Sequence, residues 1–202
     1  MQPGRKWMYL AAVPMIAASI PGTAMLMGNG TRDSARVVEE DPSRFRLVAD
    51  LSDRRLRMYE ADSLLWQYPV AVGADGFETP VGTYSINKLI WNPRWVPPDS
   101  EWAKKYTPKR PGEPGNPMKV VKIFFKEPTY YIHGTGEINS LGSAASHGCL
   151  RMDPEHVAEV ARYVMQYGGR AESDNWFMRV LRFRTEEKPI YLSQPVSLEV
   201  RR

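Results

Sequence analysis

The chain has 202 residues, which is long enough for one core-forming domain with short extensions. Its 43% hydrophobic and 25% charged residues are typical of a globular protein and exclude disorder along the whole length. The formal net charge of +4 is small, and no basic run or basic-aromatic stripe occurs, so we expect no nucleic acid among the partners.

The first 30 residues predict export. Arg5 and Lys6 form a short positive region, and the rest of the segment is uncharged and rich in apolar residues. The small residues of Gly22-Thr23-Ala24 suit a signal-peptide cleavage site, while the apolar residues 7–27 are also long enough for a retained membrane anchor, and both alternatives stay open. In either case residues 1–30 lie outside the fold, and we expect a bacterial protein exported to the periplasm or cell envelope.

Residues 31–44 are polar and lack a clear period, so we predict a linker ahead of a domain at 45–200. The first half of this domain is predicted to be β-rich, because short stretches of alternating apolar residues follow one another with tight, Gly- and Pro-rich connections. The predicted strands lie at residues 45–50, near 56–58, at 64–72 and at 84–90, with a loop at 74–83.

A long irregular stretch, residues 91–117, interrupts the strand pattern with four aromatic residues and seven prolines. Irregular segments of this length inside a domain are more often lids or binding loops than idle connections, although packing by its own aromatic residues would also explain it. Two strands are predicted next, at 118–125 and 129–133, and the second brings His133 to its end.

One helix is predicted in the second half of the chain. Asp153 suits the N-cap, Pro154 suits the first helical position, and apolar residues recur with helical spacing until Gly168-Gly169. The closing strands are predicted at 176–183 and 190–200. Together these elements predict a mainly β fold with one or two short helices and a long loop rich in proline and aromatic residues.

Cys149 is the only cysteine in the chain, and it follows Ser146-His147-Gly148, sixteen residues after His133. In an exported protein a lone cysteine cannot form an internal disulfide, so it is buried filler, paired between chains or chemically employed. Its glycine and histidine neighbours favour a nucleophile, because an imidazole can hold the sulfur as the reactive thiolate. Either His133 or His147 could be the base, and spacing alone does not choose between them.

The backbone around the two histidines is predicted to complete the site. Gly148 allows a tight turn in which the amides of residues 147–149 could converge on the oxyanion that forms when a carbonyl is attacked. Gly134 has no side chain, so an orienting partner for His133 at that place must be a backbone carbonyl. Zinc is the rival use of the cysteine and the two histidines, but the spacings typical of zinc sites are missing, and we expect neither a metal nor another cofactor.

Five short segments share one pattern: Ile132-His133-Gly134-Thr135, Ser140-Leu141-Gly142, Ser146-His147-Gly148-Cys149-Leu150-Arg151-Met152, the loop Thr79-Pro80-Val81-Gly82-Thr83-Tyr84 and the turn Asn116-Pro117. This pattern resembles the signature of the L,D-transpeptidase family, the YkuD catalytic domain. The resemblance runs from about Phe45 to Met165. Met118-Lys119 departs from the family's usual Leu-Gly, at a place that concerns substrate more than chemistry.

The resemblance implies a YkuD-like β-sandwich or barrel domain that cuts and rejoins peptidoglycan stem peptides through a cysteine. It places proton transfer on the histidine of the His-Gly-Thr segment rather than on the one beside the cysteine. It also places an arginine where a carboxylate of the stem would bind. The implied residues are Cys149 as nucleophile, His133 as proton acceptor and donor, His147, Gly148 and Gly134 in support of the oxyanion, and Arg151, Ser146 and Thr135 in substrate binding.

By the same resemblance, Cys149 attacks the carbonyl before the terminal D-alanine of a tetrapeptide stem and forms a thioester. An amine then takes the acyl group, either from a second stem in cell-wall cross-linking or from an envelope protein that is thereby anchored. The alternatives are an L,D-carboxypeptidase with water as acceptor, a cysteine endopeptidase of the wall, and a catalytically idle wall-binding module. The intact His133, Gly148 and Cys149 set favours an enzyme, because binding alone has no use for a thiol.

Overall fold

The computed structural model describes residues 44–202, in which two helices pack against an eight-stranded sheet. The predicted leader and residues 31–43 of the predicted linker lie outside the described residues. The elements are β1 (Phe45–Asp50), β2 (Arg55–Glu60), β3 (Ser63–Pro69), β4 (Val72–Gly73), β5 (Gly82–Trp91), β6 (Lys119–Lys126), β7 (Tyr130–Gly134), β8 (Ala144–Ser146), β9 (Leu150–Met152), α1 (Pro154–Tyr167), α2 (Asp174–Arg182) and β10 (Lys188–Arg201).

The main sheet is mixed, with the strand order β3-β2-β1-β10-β5-β6-β7-β9. In it β1 pairs with β10, and β7 with β9, in parallel, while all other neighbours are antiparallel. The short strands β4 and β8 form a separate parallel pair. The prediction of a mainly β, barrel-like fold with two short helices is therefore confirmed.

Strands β6, β7 and β9 have one apolar face and one polar face. Side chains alternate across a strand, so residues between the buried apolar positions point to the opposite side of the sheet. Helix α1 packs on the apolar face. The apolar face is built from Val121, Ile123, Phe125, Ile132, Leu150 and Met152, and the polar face carries Lys122, Tyr131, His133 and Arg151.

Helix α1 begins as the sequence predicts. The side chain of Asp153 accepts hydrogen bonds from the amides of Glu155, at 2.8 Å, and His156, at 3.4 Å, and Pro154 occupies the first helical position. Its last residue is Tyr167, and two glycines follow. The cap and the glycines therefore bound the helix at both ends. The apolar residues of the helix pack on the apolar side of the sheet, opposite the polar face.

The strand predicted at 176–183 is wrong, because helix α2 occupies that stretch. Ser173 caps it, with its hydroxyl accepting from the amide of Trp176 at 3.3 Å. Phe177 and Val180 are both buried, and a spacing of three places them on one face of a helix but on opposite faces of a strand. The aromatic and branched residues of the segment favour a strand locally, and packing of Phe177 overrides that preference.

Among the described residues, no helix is long and apolar enough to span a membrane.

Candidate active site

Cys149 lies in the tight turn that connects β8 to β9. The hydroxyl of Ser146 accepts a hydrogen bond from the amide of Gly148 at 3.0 Å and donates one to the carbonyl of Cys149 at 2.6 Å. Ser146 is only 2% exposed, so its side chain is committed to closing the turn. The structure thus gives Ser146 a structural role, and its contact with substrate stays a prediction.

Gly148 has a backbone conformation that other residues rarely adopt, with φ of +100°. A Cβ atom at this position would lie 2.6 Å from Cε1 of Tyr130 and 3.4 Å from the carbonyl oxygen of Glu78. Both the torsion and the space therefore require glycine immediately before Cys149. Its amide is engaged by the Ser146 hydroxyl, which leaves the amides of His147 and Cys149 as candidate oxyanion donors.

His133 lies on β7 and is only 3% exposed. Its Nδ1 is 2.8 Å from the carbonyl oxygen of Gly134, the residue that follows it. A carbonyl only accepts hydrogen bonds, so this contact assigns the proton to Nδ1 and leaves the lone pair of Nε2 to accept another. The orienting partner is thus the backbone carbonyl that the sequence predicts at this place.

The surroundings of His133 keep its ring neutral. Burial lowers its pKa to about 3, and the positive charges of Arg151 and Lys122 act in the same direction. The hydrogen bond to Gly134 acts against this shift without reversing it. At neutral pH the ring can therefore accept a proton during a reaction, whereas it does not hold one at rest.

Gly134 also has a steric role in this arrangement. A Cβ atom there would lie 2.5 Å from the carbonyl oxygen of Lys119, its partner on β6. The absence of a side chain therefore allows β6 to approach the strand that carries His133. Its contribution to oxyanion support stays a prediction.

The register of the sheet brings His133 and Cys149 to the same side. His133 is paired with Arg151 across β7 and β9, and Ile132 is paired with Leu150. Cys149 consequently lies beside Tyr131, two residues from His133 along β7 and on the same polar face. Strand pairing thus places Cys149 and His133 on the same face of the sheet, and their roles as nucleophile and base stay predictions.

The sulfur of Cys149 lies in a half-buried polar environment. Its Sγ donates to the carbonyl of Thr129 at 3.5 Å, and the backbone and phenol of Tyr131 hydrogen-bond toward the sulfur. Burial raises the pKa of the Cys149 thiol to about 11, although Tyr131, Lys122 and Arg151 all act to lower it. The thiol is therefore protonated at neutral pH, and a base would be needed to generate a thiolate from it.

Tyr131 and Lys122 belong to the site, and the sequence analysis missed both. The Lys122 ammonium lies 4.8 Å from the centroid of the Tyr131 ring and donates to the carbonyl of Arg94 at 3.1 Å. Burial lowers the pKa of Lys122 to about 8, and burial raises that of Tyr131 above its usual range. The sequence could have indicated Tyr131, because residues two apart on a strand lie on the same face as each other, here that of His133. It gave no signal for Lys122, which lies on the neighbouring strand.

His147 occupies a different environment from His133. It is exposed, and its ring stacks on Trp102 with centroids 3.8 Å apart and planes 14° apart. The ring of Phe77 meets it edge-on at 4.6 Å. Burial and the charge of Arg151 lower the pKa of His147, so this ring is also neutral at rest. His147 therefore links the nucleophile turn to two loops, and its support of the oxyanion stays a prediction.

Residues 92–118, which we call the cover loop, connect β5 to β6 and are internally braced. The backbones of Trp95 and Lys109 exchange hydrogen bonds of 2.9 and 2.8 Å. The side chain of Asn116, which is 2% exposed, donates to the carbonyls of Pro93 and Arg110 at 2.9 and 3.0 Å. The bracing and the contact of Trp102 with His147 favour the interpretation of this stretch as a functional loop.

Arg151 and Thr135 both contact Glu137. The guanidinium of Arg151 forms an ion pair with Glu137. The hydroxyl of Thr135 accepts from the amide of Glu137 at 3.1 Å, and Thr135 is 3% exposed. Thr135 therefore shapes the segment that carries the partner of Arg151, and direct substrate contact by either residue stays a prediction.

Within residues 44–202, no group of three or more His, Cys, Asp and Glu side chains is arranged to hold a metal ion.

Comparison with known families agrees with this geometry. The family model of the YkuD L,D-transpeptidase catalytic domain matches residues 44–183, which include every residue of the site described above. The chain belongs to the YkuD family of L,D-transpeptidase catalytic domains.

Individual relatives support the same assignment. A Bacillus licheniformis protein that carries the name L,D-transpeptidase YkuD is 32% identical over 120 residues, which is 59% of this chain and 60% of that protein. A Fuscovulum blasticum protein named for an L,D-transpeptidase in the ATP synthase subunits region is 31% identical over 117 residues, 56% of this chain and 61% of that protein. The matches thus span about 60% of the length of these relatives.

Two solved structures share the fold. An L,D-transpeptidase from Mycobacterium smegmatis has a TM-score of 0.50 and 15% sequence identity, covering 79% of this chain and 59% of that chain. The carbamoyl enzyme that Ldtfm forms with avibactam has a TM-score of 0.51 and 12% identity, covering 79% of this chain and 49% of that chain. At these identities the likeness is one of fold.

Proposed function

We propose that the protein is an exported peptidoglycan L,D-transpeptidase that works through an acyl-enzyme on Cys149. Family membership supports the reaction class. The observation that carries the mechanism is the hydrogen bond from Nδ1 of His133 to Gly134, because it leaves the lone pair of Nε2 free to accept a proton, on the strand that lies beside Cys149. The proposed localisation, the periplasm or cell envelope, rests on the N-terminal sequence pattern.

In the acylation step Nε2 of His133 takes the thiol proton as Sγ of Cys149 attacks the carbonyl before the terminal D-alanine. The tetrahedral oxyanion is stabilised by the amides of His147 and Cys149. The imidazolium then gives its proton to the departing amine of D-alanine, the C–N bond breaks, and a thioester remains. Because the pKa of His133 is far below neutral, this imidazolium is short-lived and a strong acid toward the leaving group.

In the second step an amine of another stem, or of an envelope protein, attacks the thioester. His133 removes a proton from that amine and returns one to the sulfur as the C–S bond breaks, so the enzyme is regenerated. Water in place of the amine would produce the carboxypeptidase reaction instead.

Product analysis tests this proposal. We would incubate the purified chain with a disaccharide-tetrapeptide and analyse the products by mass spectrometry, with Cys149→Ala as the control. Cross-linked dimers that require Cys149 support the transpeptidase, whereas tripeptide and free D-alanine alone indicate the carboxypeptidase. Products that persist in Cys149→Ala, or no turnover of any stem with or without an added amine, would overturn the proposal.

A further inference from the structure

The polar face around Cys149 carries a cation that the mechanism above does not use. Lys122 on β6 is paired in register with His133 on β7, which in turn is paired with Arg151 on β9. Tyr131, two residues before His133, lies between Lys122 and the sulfur of Cys149. An ammonium, a phenol and a thiol are therefore arranged in sequence on one side of the sheet.

The contacts of Tyr131 connect the cation to the sulfur. Its phenol hydrogen-bonds toward Cys149, and the ammonium of Lys122 lies 4.8 Å from its ring centroid. An ammonium over an aromatic face is attracted to the ring, and it makes the attached hydroxyl a better hydrogen-bond donor. Tyr131 thus lies beside the sulfur of Cys149, whereas Lys122 acts on that sulfur both across space and through Tyr131.

The ammonium of Lys122 is held at this place by its surroundings. It donates to the carbonyl of Arg94 in the cover loop at 3.1 Å, and its side chain is half-buried. The charged groups that act on it are Arg94, Glu187 ahead of β10, and the sulfur of Cys149 itself. Arg94 and Glu187 form an ion pair with each other at 3.3 Å, so Lys122 lacks a dedicated carboxylate among these neighbours.

The two cations of the face act on different partners. At the sulfur of Cys149 the charge of Lys122 has a larger effect than that of Arg151. At the ring of His133 the order is reversed, and Arg151 has the larger effect. Arg151 is also paired with Glu137, which reduces its net field. A charge that forms on the sulfur is therefore balanced chiefly from the side of Lys122.

We propose that Lys122 is a positioning residue for the nucleophile: its ammonium, acting with the hydroxyl of Tyr131, balances the negative charge that develops on Cys149. His133 is then responsible for moving the proton and not for holding the thiolate as an ion pair. The inference rests on the proposed function of Cys149 as a nucleophile.

Alkylation of Cys149 by iodoacetamide tests this inference directly. The thiolate sulfur displaces iodide, forming a C–S bond, after the thiol proton leaves for solvent, so the rate reports the thiolate fraction. Cys149 is the only cysteine, so the full chain is labelled at one atom. We expect Lys122→Met to lower the alkylation rate constant at pH 7 by about tenfold, corresponding to a rise of about one unit in the thiol pKa.

Two further variants separate charge from structure. Lys122→Arg retains a cation and should restore most of the rate. Lys126→Met removes another ammonium of β6, which lies over the ring of Tyr130 at 5.7 Å, and should leave the rate unchanged. Loss of folding cannot imitate the expected result, because unfolding exposes the thiol and would speed alkylation.

The pH profile gives a second readout. In the wild type, Lys122 loses its charge as the pH rises through about 8, so the logarithm of the rate constant should rise with a slope below one between pH 7 and 9. In Lys122→Met and Lys122→Arg the slope should be one throughout. A rate for Lys122→Met equal to that of the wild type, or Lys122→Arg as slow as Lys122→Met, would overturn the inference. Alkylation needs no stem peptide, so failure of the proposed transpeptidation would be seen separately in the product assay.

Discussion

The two histidines of the site lie in regions of different construction. His133 is buried in the sheet, with paired strands on both sides and a 2.8 Å hydrogen bond that assigns its tautomer. His147 lies in an exposed turn and is held by the rings of Trp102 and Phe77. A directional hydrogen bond fixes which ring nitrogen carries the proton, whereas ring stacking sets only where the ring lies. Under the proposed function, the sheet would therefore provide the chemistry and the loops would control access to it.

Replacing each histidine by glutamine should have very different effects. We expect His133→Gln to lower kcat by about 10²- to 10⁴-fold, because the proton acceptor and donor is lost. His147→Gln should lower kcat/KM by about tenfold or less, mainly through KM, because the ring positions the turn. Steady-state kinetics of stem turnover would measure both, and a larger loss of kcat in His147→Gln would reverse the comparison.

The turn itself can be tested through Gly148→Ala. The added Cβ would lie 2.6 Å from Tyr130, and the torsion is unfavourable. We therefore expect the free energy of unfolding to fall by about 2–4 kcal/mol, with strong loss of activity.

Gly142→Ala is the matched control for that change. Gly142 also has a positive φ, of +81°, but nothing lies within 4 Å of its would-be Cβ. Gly142→Ala should lower the free energy of unfolding by about 1 kcal/mol, from the unfavourable torsion alone. Chemical denaturation would give both values, and equal costs would show that the contact with Tyr130 is relieved without penalty.

Trp102→Ala should separate access from chemistry in the cover loop. Removing the ring that stacks on His147 should raise KM about three- to tenfold while kcat changes less than twofold, since no group that moves a proton is altered. Tyr106→Ala is the matched control. It removes another aromatic ring of the same loop, but that ring contacts Trp95 and Trp102 and not His147. A fall in kcat without a change in KM for Trp102→Ala would place the loop in the chemical step.

The last expected effect concerns the pH dependence of stability. His133 has a pKa of about 3 in the folded protein and an ordinary value near 6.5 when unfolded. Between these values the unfolded chain binds a proton that the folded protein does not, so stability falls as the pH is lowered from about 6.5 towards 3.

His133→Gln lacks this component. Between pH 7 and pH 4 its Tm should therefore fall by roughly 5–10 °C less than that of the wild type. Calorimetry of the two proteins at both pH values measures the difference. Parallel Tm values would mean that the ring is charged in the fold, and the contrast with exposed His147 would weaken.

The local geometry of the site could be predicted because its signals lie close together in the sequence. The single cysteine, its flanking glycine and the His-Gly-Thr segment indicate a nucleophile, a strained turn and an oriented base. The strand that begins at Phe45 and the helix capped by Asp153 were also predictable, since their signals lie within a few residues. Family membership agrees with the resemblance on which the role of His133 rests.

The long-range contacts could not be predicted in the same way. Lys122 reaches the site through cross-strand register, which depends on the hairpin between β6 and β7 and is invisible to periodicity. The contact between Trp102 and His147 joins residues 45 positions apart, and Trp102 lies in an irregular loop. Helix α2 was not predicted because its aromatic residues favour a strand locally. The packing of Phe177 against Trp91 in the core favours the helix instead.

The half-buried, protonated state of the Cys149 sulfur also has a redox consequence. Oxidation to sulfenic acid begins with the thiolate, and a thiol with a pKa of about 11 has roughly one thiolate in 10⁴ molecules at pH 7. We therefore expect the only cysteine of the chain to react slowly with peroxide while no substrate is bound. In an oxidising compartment, the same burial that requires a base for catalysis would preserve the nucleophile between turnovers.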